Sequence, residues 1–275
     1  MTQNIIWKSG EWTSPELAQI SIKDRGLKFS DGIFETILIK NNQAILLNEH
    51  LARLDKTLQI LEFQFNLDQN LISDIIKEGI KKLETNNNEF GAIRINYSRG
   101  INQKRSIKIN PEYSTFNLNN LWIEFYRIKL NFIPITAFIS KKEKRNEYSS
   151  LSQCKTFSYA QSIQTLIEAN NNNFDDSLIL NTRNELCCGS TFNIILKRDN
   201  RWYTPRKESG CLPGIMVNQL HKLGLVEERN LLPEFNKDDI LIAINSLSCR
   251  QISKVNEVKF TTVFDTKYFW NLIYN

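Results

Sequence analysis

Histidine is scarce and cysteine is unpaired in this 275-residue sequence, which excludes several kinds of site. The two histidines, His50 and His221, lie far apart and no CxxC pair occurs, so a structural zinc site is not expected. The five cysteines are odd in number, and Cys187 and Cys188 are adjacent, which does not suit a disulfide framework. Reduced thiols and no bound metal are therefore predicted.

Long apolar runs and a strong excess of one charge are also lacking. No segment approaches the ~18 uninterrupted apolar residues of a membrane span, and no basic region followed by an apolar run opens the chain. We therefore expect a cytoplasmic protein that does not bind membranes. The formal net charge of +5 suits a small anionic substrate, whereas a nucleic-acid groove would need a longer basic stripe. The densest basic run, 141–145, is expected to be a solvated loop.

The first half of the chain alternates strand and helix patterns. Residues 33–39 are rich in β-branched side chains and predict a strand. Apolar residues recur at helical spacing over 47–61, with Asn48 as the expected N-cap, and a second helix is predicted over 71–83. Strict alternation over 93–98 predicts a strand with one polar face.

The second half is richer in strands. Residues 101–120 lack periodicity and contain a proline, as expected of a flexible loop and a domain linker. Strand patterns follow at 121–126, 135–139, 178–180, 193–196 and 240–244, and helical patterns at 159–169 and 215–223. The sequence thus predicts an α/β chain of two domains. A small α/β domain is expected over 1–115, a linker over 116–124 and a larger, β-rich, cofactor-binding domain over 125–275.

Four segments stand out together: DRGLKFSDGIFET (24–36), NEHLARL (48–54), SQCKTFSYAQSI (152–163) and LPGIM (212–216). In these segments the sequence resembles the class IV pyridoxal-phosphate enzymes, which include branched-chain aminotransferases, D-amino-acid aminotransferases and 4-amino-4-deoxychorismate lyases. The resemblance covers 24–255 and includes FNIIL (192–196), TP (204–205) and NSL (245–247). It implies the fold-type IV architecture, with pyridoxal 5′-phosphate bound in a cleft between the two domains. It also implies a homodimer whose sites include residues of the partner's small domain.

Lys155 opens the run KTFSY, just before a helix predicted to start near Tyr159. The resemblance implies that Lys155 carries the cofactor as a Schiff base. That chemistry needs a primary amine that forms an imine and later moves protons. A tyrosine follows this lysine in some relatives, which implies that Tyr159 reaches the phenolic oxygen of the cofactor.

Three elements resemble the family's anchors for the cofactor phosphate. Arg53, in the pattern HLAR, matches the phosphate arginine. Ile215 and Met216 follow a glycine at a predicted helix start, where backbone N–H groups and the helix dipole favour an anion. Ser246 and Leu247, in NSL after the strand predicted over 240–244, resemble the family's second phosphate-binding turn.

One position departs from the family pattern. The resemblance places a glutamate five residues before Asn193, where this chain has Cys188. A carboxylate there would keep the ring nitrogen of the cofactor protonated, whereas a thiol, with an unperturbed pKa near ~8.5, is a weaker partner. We expect a weaker electron sink, which disfavours reversible transamination. Because adjacent strand residues point to opposite faces, one of Cys187 and Cys188 is expected in the core.

Substrate recognition separates the branches of the family. Arg94 and Arg99 resemble basic positions that face substrate carboxylates in the lyase, and the arginine fork suits bidentate carboxylate binding. The D-amino-acid branch is expected to have histidines shortly after this strand, and 100–109 contains none. Phe29 occupies a predicted substrate-binding position. The branched-chain branch is expected to have a tyrosine near it and a Phe-Glu-Gly-Ile-Arg run. Here Phe29 lacks the hydroxyl, and the run reads FETI.

Three functional hypotheses follow. The first is a lyase that converts 4-amino-4-deoxychorismate to 4-aminobenzoate and pyruvate in folate biosynthesis. The second is a class IV aminotransferase that acts on D- or branched-chain amino acids. The third is a degenerate member that binds the cofactor but turns over weakly, because Cys188, Asn184 and Val217 stand where relatives often have Glu, Gly and Arg.

Overall fold

The computed structural model describes residues 4–83, 89–102, 106–109 and 115–274. The helices are α1 Arg25–Phe29, α2 Leu47–Ile60, α3 Gln69–Leu83, α4 Ala160–Asn171, α5 Ile215–Lys222 and α6 Thr266–Tyr274. The strands are β1 Ile5–Lys8, β2 Glu11–Thr13, β3 Gly32–Lys40, β4 Gln43–Ala44, β5 Phe90–Ser98, β6 Leu121–Ile128, β7 Ile135–Arg145, β8 Asp176–Asn181, β9 Leu186–Gly189, β10 Asn193–Arg198, β11 Arg201–Pro205, β12 Glu227–Arg229, β13 Ile240–Asn245, β14 Ser248–Val255 and β15 Val258–Lys259. The chain divides into two units, a first of Met1–Leu130 with Cys154–Ser158 and a second of Asn131–Gln153 with Tyr159–Asn275.

The first unit is built on a six-stranded antiparallel sheet with the order β2-β1-β6-β5-β3-β4. Strands β3 and β5 pair along their full length, from Gly32 opposite Ser98 to Lys40 opposite Phe90. Both faces of these strands are largely buried, including Asn96 and Ser98 on the polar side of β5. Apolar side chains at alternate positions give the strands one apolar face, as the alternation over 93–98 predicts for β5. That face packs with α2 and α3 in a core that includes Ile33, Ile37, Ile93, Ile95, Leu54 and Ile76.

Helices α2 and α3 confirm the two helical patterns of the first half. The leucines at helical spacing on α2 are buried in the core of the first unit. The predicted cap is wrong, because α2 begins at Leu47 and follows Leu46, which has a left-handed φ of 56° and makes no side-chain capping bond. Asn48 therefore lies inside the first turn of the helix.

The predicted linker over 116–124 differs from the observed division of the chain. It includes the start of β6, which pairs with β1 on one side and with β5 on the other. Leu121, Ile123 and Phe125 are fully buried in the core of the first unit. The first unit therefore extends to Leu130, because β6 is a central strand of its sheet.

A short segment from later in the chain runs along the edge of the first sheet. Phe34 N–H donates to the Lys155 carbonyl at 3.0 Å, and Phe157 N–H donates to the Gly32 carbonyl at 2.9 Å. These backbone bonds hold Lys155 beside β3 in a fixed register. The sheet thus determines which strand residues the Lys155 side chain can contact.

The second unit is built on a nine-stranded mixed sheet ordered β12-β11-β10-β13-β14-β7-β8-β9, with β15 paired to β14. The pairs β11–β12, β14–β7 and β7–β8 are parallel. The helices predicted near 159–169 and 215–223 are confirmed as α4 and α5. The core of this unit includes Leu178, Ile194, Leu241 and Ile252, all of which lie on strands of the sheet.

The basic run at 141–145 belongs to β7, which corrects the expectation of a solvated loop. Its lysines are exposed, but Arg145 is partly buried. Arg145 donates to Gln161 Oε1 at 2.7 Å and to Ser162 Oγ at 2.9 Å, both on α4. A strand can carry such a run because long lysine side chains keep their charge in water while the backbone pairs in a sheet.

All five cysteines are free thiols with buried side chains. Over the ranges given above, no group of three or more histidine, cysteine or acidic side chains is placed to hold a metal ion. Within the same ranges, no helix is both long enough and apolar enough to cross a membrane.

Candidate active site

The Lys155 amine lies among cationic side chains in the first unit. Its Nζ is 4.2 Å from the centre of the Phe34 ring, and Arg94 Cζ is 3.7 Å from the centre of the same ring. Phe34 and Arg94 lie on the neighbouring strands β3 and β5, and Arg94 Nε donates to Asn96 Oδ1 at 2.9 Å. Because an aromatic face attracts cations, Phe34 holds both charged groups close together.

A buried carboxylate lies next to this cluster. Glu35, with 0% exposure, accepts bonds of 2.7 Å from Arg53 Nε on Oε1 and from Arg53 Nη2 on Oε2. His50 Nδ1 lies 2.7 Å from Oε2 and donates to it, since a carboxylate only accepts. Burial alone would raise the pKa of Glu35, but Arg53 and His50 hold that pKa well below its usual range. The carboxylate therefore stays ionised and fixes the Arg53 guanidinium in place.

Burial lowers the pKa of the Lys155 amine to about 8. The Glu35 carboxylate opposes this shift, while the positive charges of Arg53 and Arg94 add to it. About half of the lysine is therefore neutral at pH 8, and only the neutral amine attacks an aldehyde. The environment of Lys155 makes it a nucleophile near physiological pH.

The lowered pKa gives a direct prediction for the unliganded protein. We expect Lys155 to react with trinitrobenzenesulfonate with a rate that rises with pH and has its midpoint near pH 8, because the neutral amine is the nucleophile. Brief labelling over a pH series, followed by peptide mass spectrometry, measures this midpoint. Arg94→Met removes a nearby positive charge and should move the midpoint upward. A midpoint near ~10.4, the reference value for lysine, would contradict the assignment.

Arg99, predicted to face the substrate, lies in a buried ion-pair network. It is 4% exposed, and its Nε donates to both Asp31 oxygens at 3.0 and 3.1 Å. Its Nη2 donates to the Leu61 carbonyl at 2.7 Å, and its Cζ lies 3.7 Å from the centre of the Phe63 ring. Among the residues described, its buried Nη1 makes no hydrogen bond. These contacts place Arg99 outside the group that Phe34 brings together.

Phe29, the other predicted substrate position, is the last residue of α1 and is 38% exposed. The Arg25 guanidinium carbon lies 5.2 Å from the centre of its ring. Arg25 Nε in turn donates to Asp31 Oδ2 at 2.7 Å, so α1 is tied to the same carboxylate as Arg99. Phe29 therefore lies beside the Asp31 network, with one part of its ring exposed.

A second group of side chains surrounds Cys188 in the second unit. Strand β9 carries a bulge, because Ile179 lies opposite Cys188 while the next residue of β8 lies opposite Leu186, which leaves Cys187 unmatched. The bulge changes the direction of the Cys187 side chain. Cys187, Cys188 and Cys211 are buried in one cluster. One of the adjacent cysteines was expected in the core, and the structure buries both.

The thiol of Cys188 is the acidic member of this cluster. A hydrogen bond from the Cys187 thiol, with the Arg145 guanidinium beside it, lowers the pKa of Cys188 despite its burial. The same bond, together with burial, raises the pKa of Cys187. Arg145 also interacts with Tyr159, the N-cap residue of α4. The arrangement favours a thiolate on Cys188 that is paired with a guanidinium.

The start of α5 packs closely against the side chain of Asn193. Gly214 is its N-cap, and Ile215 and Met216 are the first two helical residues. Asn193 Nδ2 donates to the Leu212 carbonyl at 2.9 Å and so supports the segment before the helix. A Cβ at Gly214 would overlap the Asn193 side chain, so only glycine fits here. The N–H groups of the first helical turn can face an anion.

The turn of Ser246 and Leu247 joins β13 to β14. Leu247 N–H donates to Asn245 Oδ1 at 2.9 Å, and Ser248 Oγ donates to the same oxygen at 3.2 Å. The Leu247 N–H is thereby used within the turn. Ser246 is the turn residue with a hydroxyl to offer a phosphate.

Three residues of these sites were missed from the sequence. Glu35 is an ionisable residue inside the apolar strand β3, and that placement was the available signal for a buried ion pair. Arg145 was assigned to a solvated run, although it is the terminal residue of β7. Tyr274, in the C-terminal helix, contacts two proposed phosphate anchors and had no motif to mark it.

A lysine amine of lowered pKa among anion-binding groups is the arrangement that pyridoxal-phosphate chemistry requires. The family described as "Amino-transferase class IV" matches residues 32–255, and the chain belongs to that family. The two sheets match those of fold-type IV aminotransferases, and the cofactor is pyridoxal 5′-phosphate.

Known relatives divide between transferases and a lyase. D-alanine aminotransferase of Staphylococcus aureus (strain N315) is 31% identical over 107 residues, which are 39% of this chain and 37% of that protein. Aminodeoxychorismate lyase of Bacillus subtilis (strain 168) is 21% identical over 217 residues, 77% of this chain and 70% of that protein. A hypothetical aminotransferase from Mycobacterium tuberculosis, in its PLP-bound form, has a TM-score of 0.81 at 16% identity, covering 98% of this chain and 97% of that one.

The residues present fit this cofactor. Lys155 offers a partly neutral amine, and Arg53 offers a guanidinium fixed by Glu35. At the start of α5, the backbone N–H groups of the first helical turn suit a phosphate. The charges of Lys155, Arg53 and Arg94 exceed that of Glu35, which favours an anionic ligand.

Proposed function

We propose that this chain is a pyridoxal-phosphate-dependent lyase that converts 4-amino-4-deoxychorismate to 4-aminobenzoate and pyruvate, a step of folate biosynthesis. The observation that carries the proposal is the Cys188 thiol paired with Arg145, at the position where the family pattern has a glutamate. The similarity to the lyase of Bacillus subtilis, over 77% of the chain, supports it.

The cofactor contacts are proposed from the matching motifs. Lys155 forms the covalent bond, and Arg53, Ile215, Met216, Ser246 and Leu247 form the phosphate anchors. Cys188 is assigned to the ring nitrogen and Tyr159 to the phenolic oxygen. The bond from Leu247 N–H to Asn245 directs the phosphate contacts of that turn to Ser246.

The cofactor supplies an electron sink when it is bound. Lys155 Nζ removes the proton from C4 of the substrate and returns it to the departing three-carbon group, which becomes pyruvate. Arg94, held on Phe34 beside Lys155, binds a substrate carboxylate. Glu35 holds Arg53 in position and offsets part of the positive charge around the amine.

The Cys188–Arg145 pair suits the lyase reaction better than transamination. A thiolate neutralised by a guanidinium is a weaker partner for a protonated ring nitrogen than a carboxylate is. Transamination depends strongly on a protonated ring nitrogen, because the cofactor ring must accept negative charge during that reaction. Loss of enolpyruvate is driven by formation of an aromatic ring, so a weaker electron sink is sufficient.

The two reaction classes are separated by two assays on the same holoenzyme. Incubation with 4-amino-4-deoxychorismate should release fluorescent 4-aminobenzoate, and incubation with D-alanine or leucine and a keto acid should give little amine exchange. Amine exchange without 4-aminobenzoate would overturn the proposal in favour of an aminotransferase. Full cofactor occupancy with background turnover in both assays would identify a degenerate member.

Cys188→Glu should change the balance between the two activities. A carboxylate would keep the ring nitrogen protonated, and a charge-assisted hydrogen bond there is expected to raise amine exchange roughly 10- to 100-fold. Lyase turnover should stay constant or fall. Cys211→Ser, in the same cluster, serves as the control and should not alter the ratio. A rise in lyase rate without a change in amine exchange would contradict the assignment of Cys188.

An aminotransferase that acts on D-amino acids is the second candidate. The specific observation in its favour is the 31% identity with D-alanine aminotransferase, although the match spans only 37% of that protein. The homodimer implied by the family resemblance is part of either proposal. Light scattering on the holoenzyme measures it, and a monomeric, active enzyme would refute it.

A further inference from the structure

Helix α6 brings a tyrosine hydroxyl to two separate turns of the second unit. Tyr274 Oη lies 3.4 Å from both Met216 Sδ and the Ser246 carbonyl oxygen, and its single proton is shared between these two acceptors. Met216 is in the first turn of α5, and Ser246 is in the turn between β13 and β14. The last turn of α6 thus connects two segments that lie 30 residues apart in sequence.

The hydroxyl is held by packing rather than by chance orientation. The Trp270 ring, 2% exposed, packs edge-on against the Tyr274 ring at 4.8 Å between centres. Ile273 is buried beside them. Burial raises the pKa of Tyr274, so its hydroxyl keeps its proton and remains a donor.

The bond to Ser246 fixes a single peptide group from both ends. The Ser246 carbonyl and the Leu247 N–H belong to the same planar peptide unit. Tyr274 holds the carbonyl, and Asn245 Oδ1 holds the N–H at 2.9 Å. With this plane held, the ψ angle of Ser246 is restrained, which limits the directions that its side chain can take. The second contact acts on Met216, so one hydroxyl restrains both segments.

We propose that Tyr274 is a positioning residue that aligns the α5 start and the Ser246 turn for the phosphate of the cofactor. The inference rests on the proposed function, since it takes these two segments as the phosphate anchors. It makes the C-terminal helix responsible for part of the preference for the phosphorylated form of the cofactor. Tyr274 itself need not touch the ligand.

The test compares two ligands that differ only in the phosphate. The Kd values of the apoenzyme for pyridoxal 5′-phosphate and for pyridoxal are measured by absorbance titration. Tyr274→Phe removes one hydroxyl and keeps the ring, and Tyr268→Phe, on the same helix but 63% exposed, is the matched control. We expect Tyr274→Phe to raise the Kd for pyridoxal 5′-phosphate about fivefold, as the loss of one hydrogen bond implies. The Kd for pyridoxal and both values of the control should match wild type.

The outcomes are distinguishable. An equal rise in both Kd values would show a general structural role and overturn the inference, as would wild-type values for both ligands. Failure of the wild-type apoenzyme to bind pyridoxal 5′-phosphate would instead overturn the proposed function itself. Thermal unfolding of the apoenzymes confirms that the two Tyr→Phe variants are folded equally.

Discussion

Lys155→Ala is expected to give a protein that lacks the absorbance of the cofactor–lysine imine and on which borohydride traps no cofactor adduct. The amine of this residue is both the attachment point and the proton carrier of the proposed reaction. Removal of a positioned proton carrier costs about 10²- to 10⁴-fold in rate, and loss of covalent attachment adds to that. Turnover with 4-amino-4-deoxychorismate should therefore fall by at least two orders of magnitude. Absorbance of the reconstituted protein, peptide mapping after borohydride, and 4-aminobenzoate fluorescence measure the three effects.

Two controls separate the roles of charge and nucleophile at this position. Lys155→Arg keeps the positive charge near Phe34 but cannot form the imine, so it should resemble Lys155→Ala in colour and rate. Lys77→Ala, on the exposed side of α3, should resemble wild type. Non-covalent cofactor should still bind to both Lys155 variants, because the proposed phosphate anchors are unchanged. A coloured Lys155→Ala protein with an adduct on another lysine would refute the assignment.

Local periodicity accounts for most of the fold that was predicted from the sequence. Strands β3 and β5 and helices α2 and α3 bury residues that recur with periods of two or about 3.6, and the sequence displays both periods directly. A strand was also predicted at 121–126, but the place of β6 in the first unit depends on its pairing with β1, more than 100 residues earlier. No local pattern reports a pairing partner at that distance, which is why 116–124 was assigned to a linker.

The residues of the candidate site also form two groups, those that sequence motifs mark and those that only tertiary contacts bring together. Lys155 and Arg53 were proposed as site residues because their motifs occur in family order. The bulge that turns Cys187 toward Cys188 depends on register with β8, and sequence spacing alone predicts opposite faces. In the sequence, nothing distinguishes Arg145 from the other residues of the basic run. Only its contact with α4 in the folded chain does so. The partners that tune the charged groups are therefore set by tertiary contacts.

Glu35→Gln should show how much of the first unit depends on its buried ion pair. The amide keeps the volume of the side chain but leaves Arg53 and His50 without their carboxylate, which should lower the free energy of unfolding by about 3–5 kcal/mol at pH 7. Urea unfolding of apoenzymes measures this. The lowered pKa of Glu35 means that its contribution is present above the unfolded value and is lost as pH falls through the folded value. The difference between wild type and variant should therefore shrink below about pH 4.5, the ordinary value for glutamate. Arg53→Met combined with Glu35→Gln should recover part of the loss, since it removes the unpaired cation. A loss below about 1 kcal/mol at pH 7, with no dependence on pH, would show that the pair is not an important source of stability.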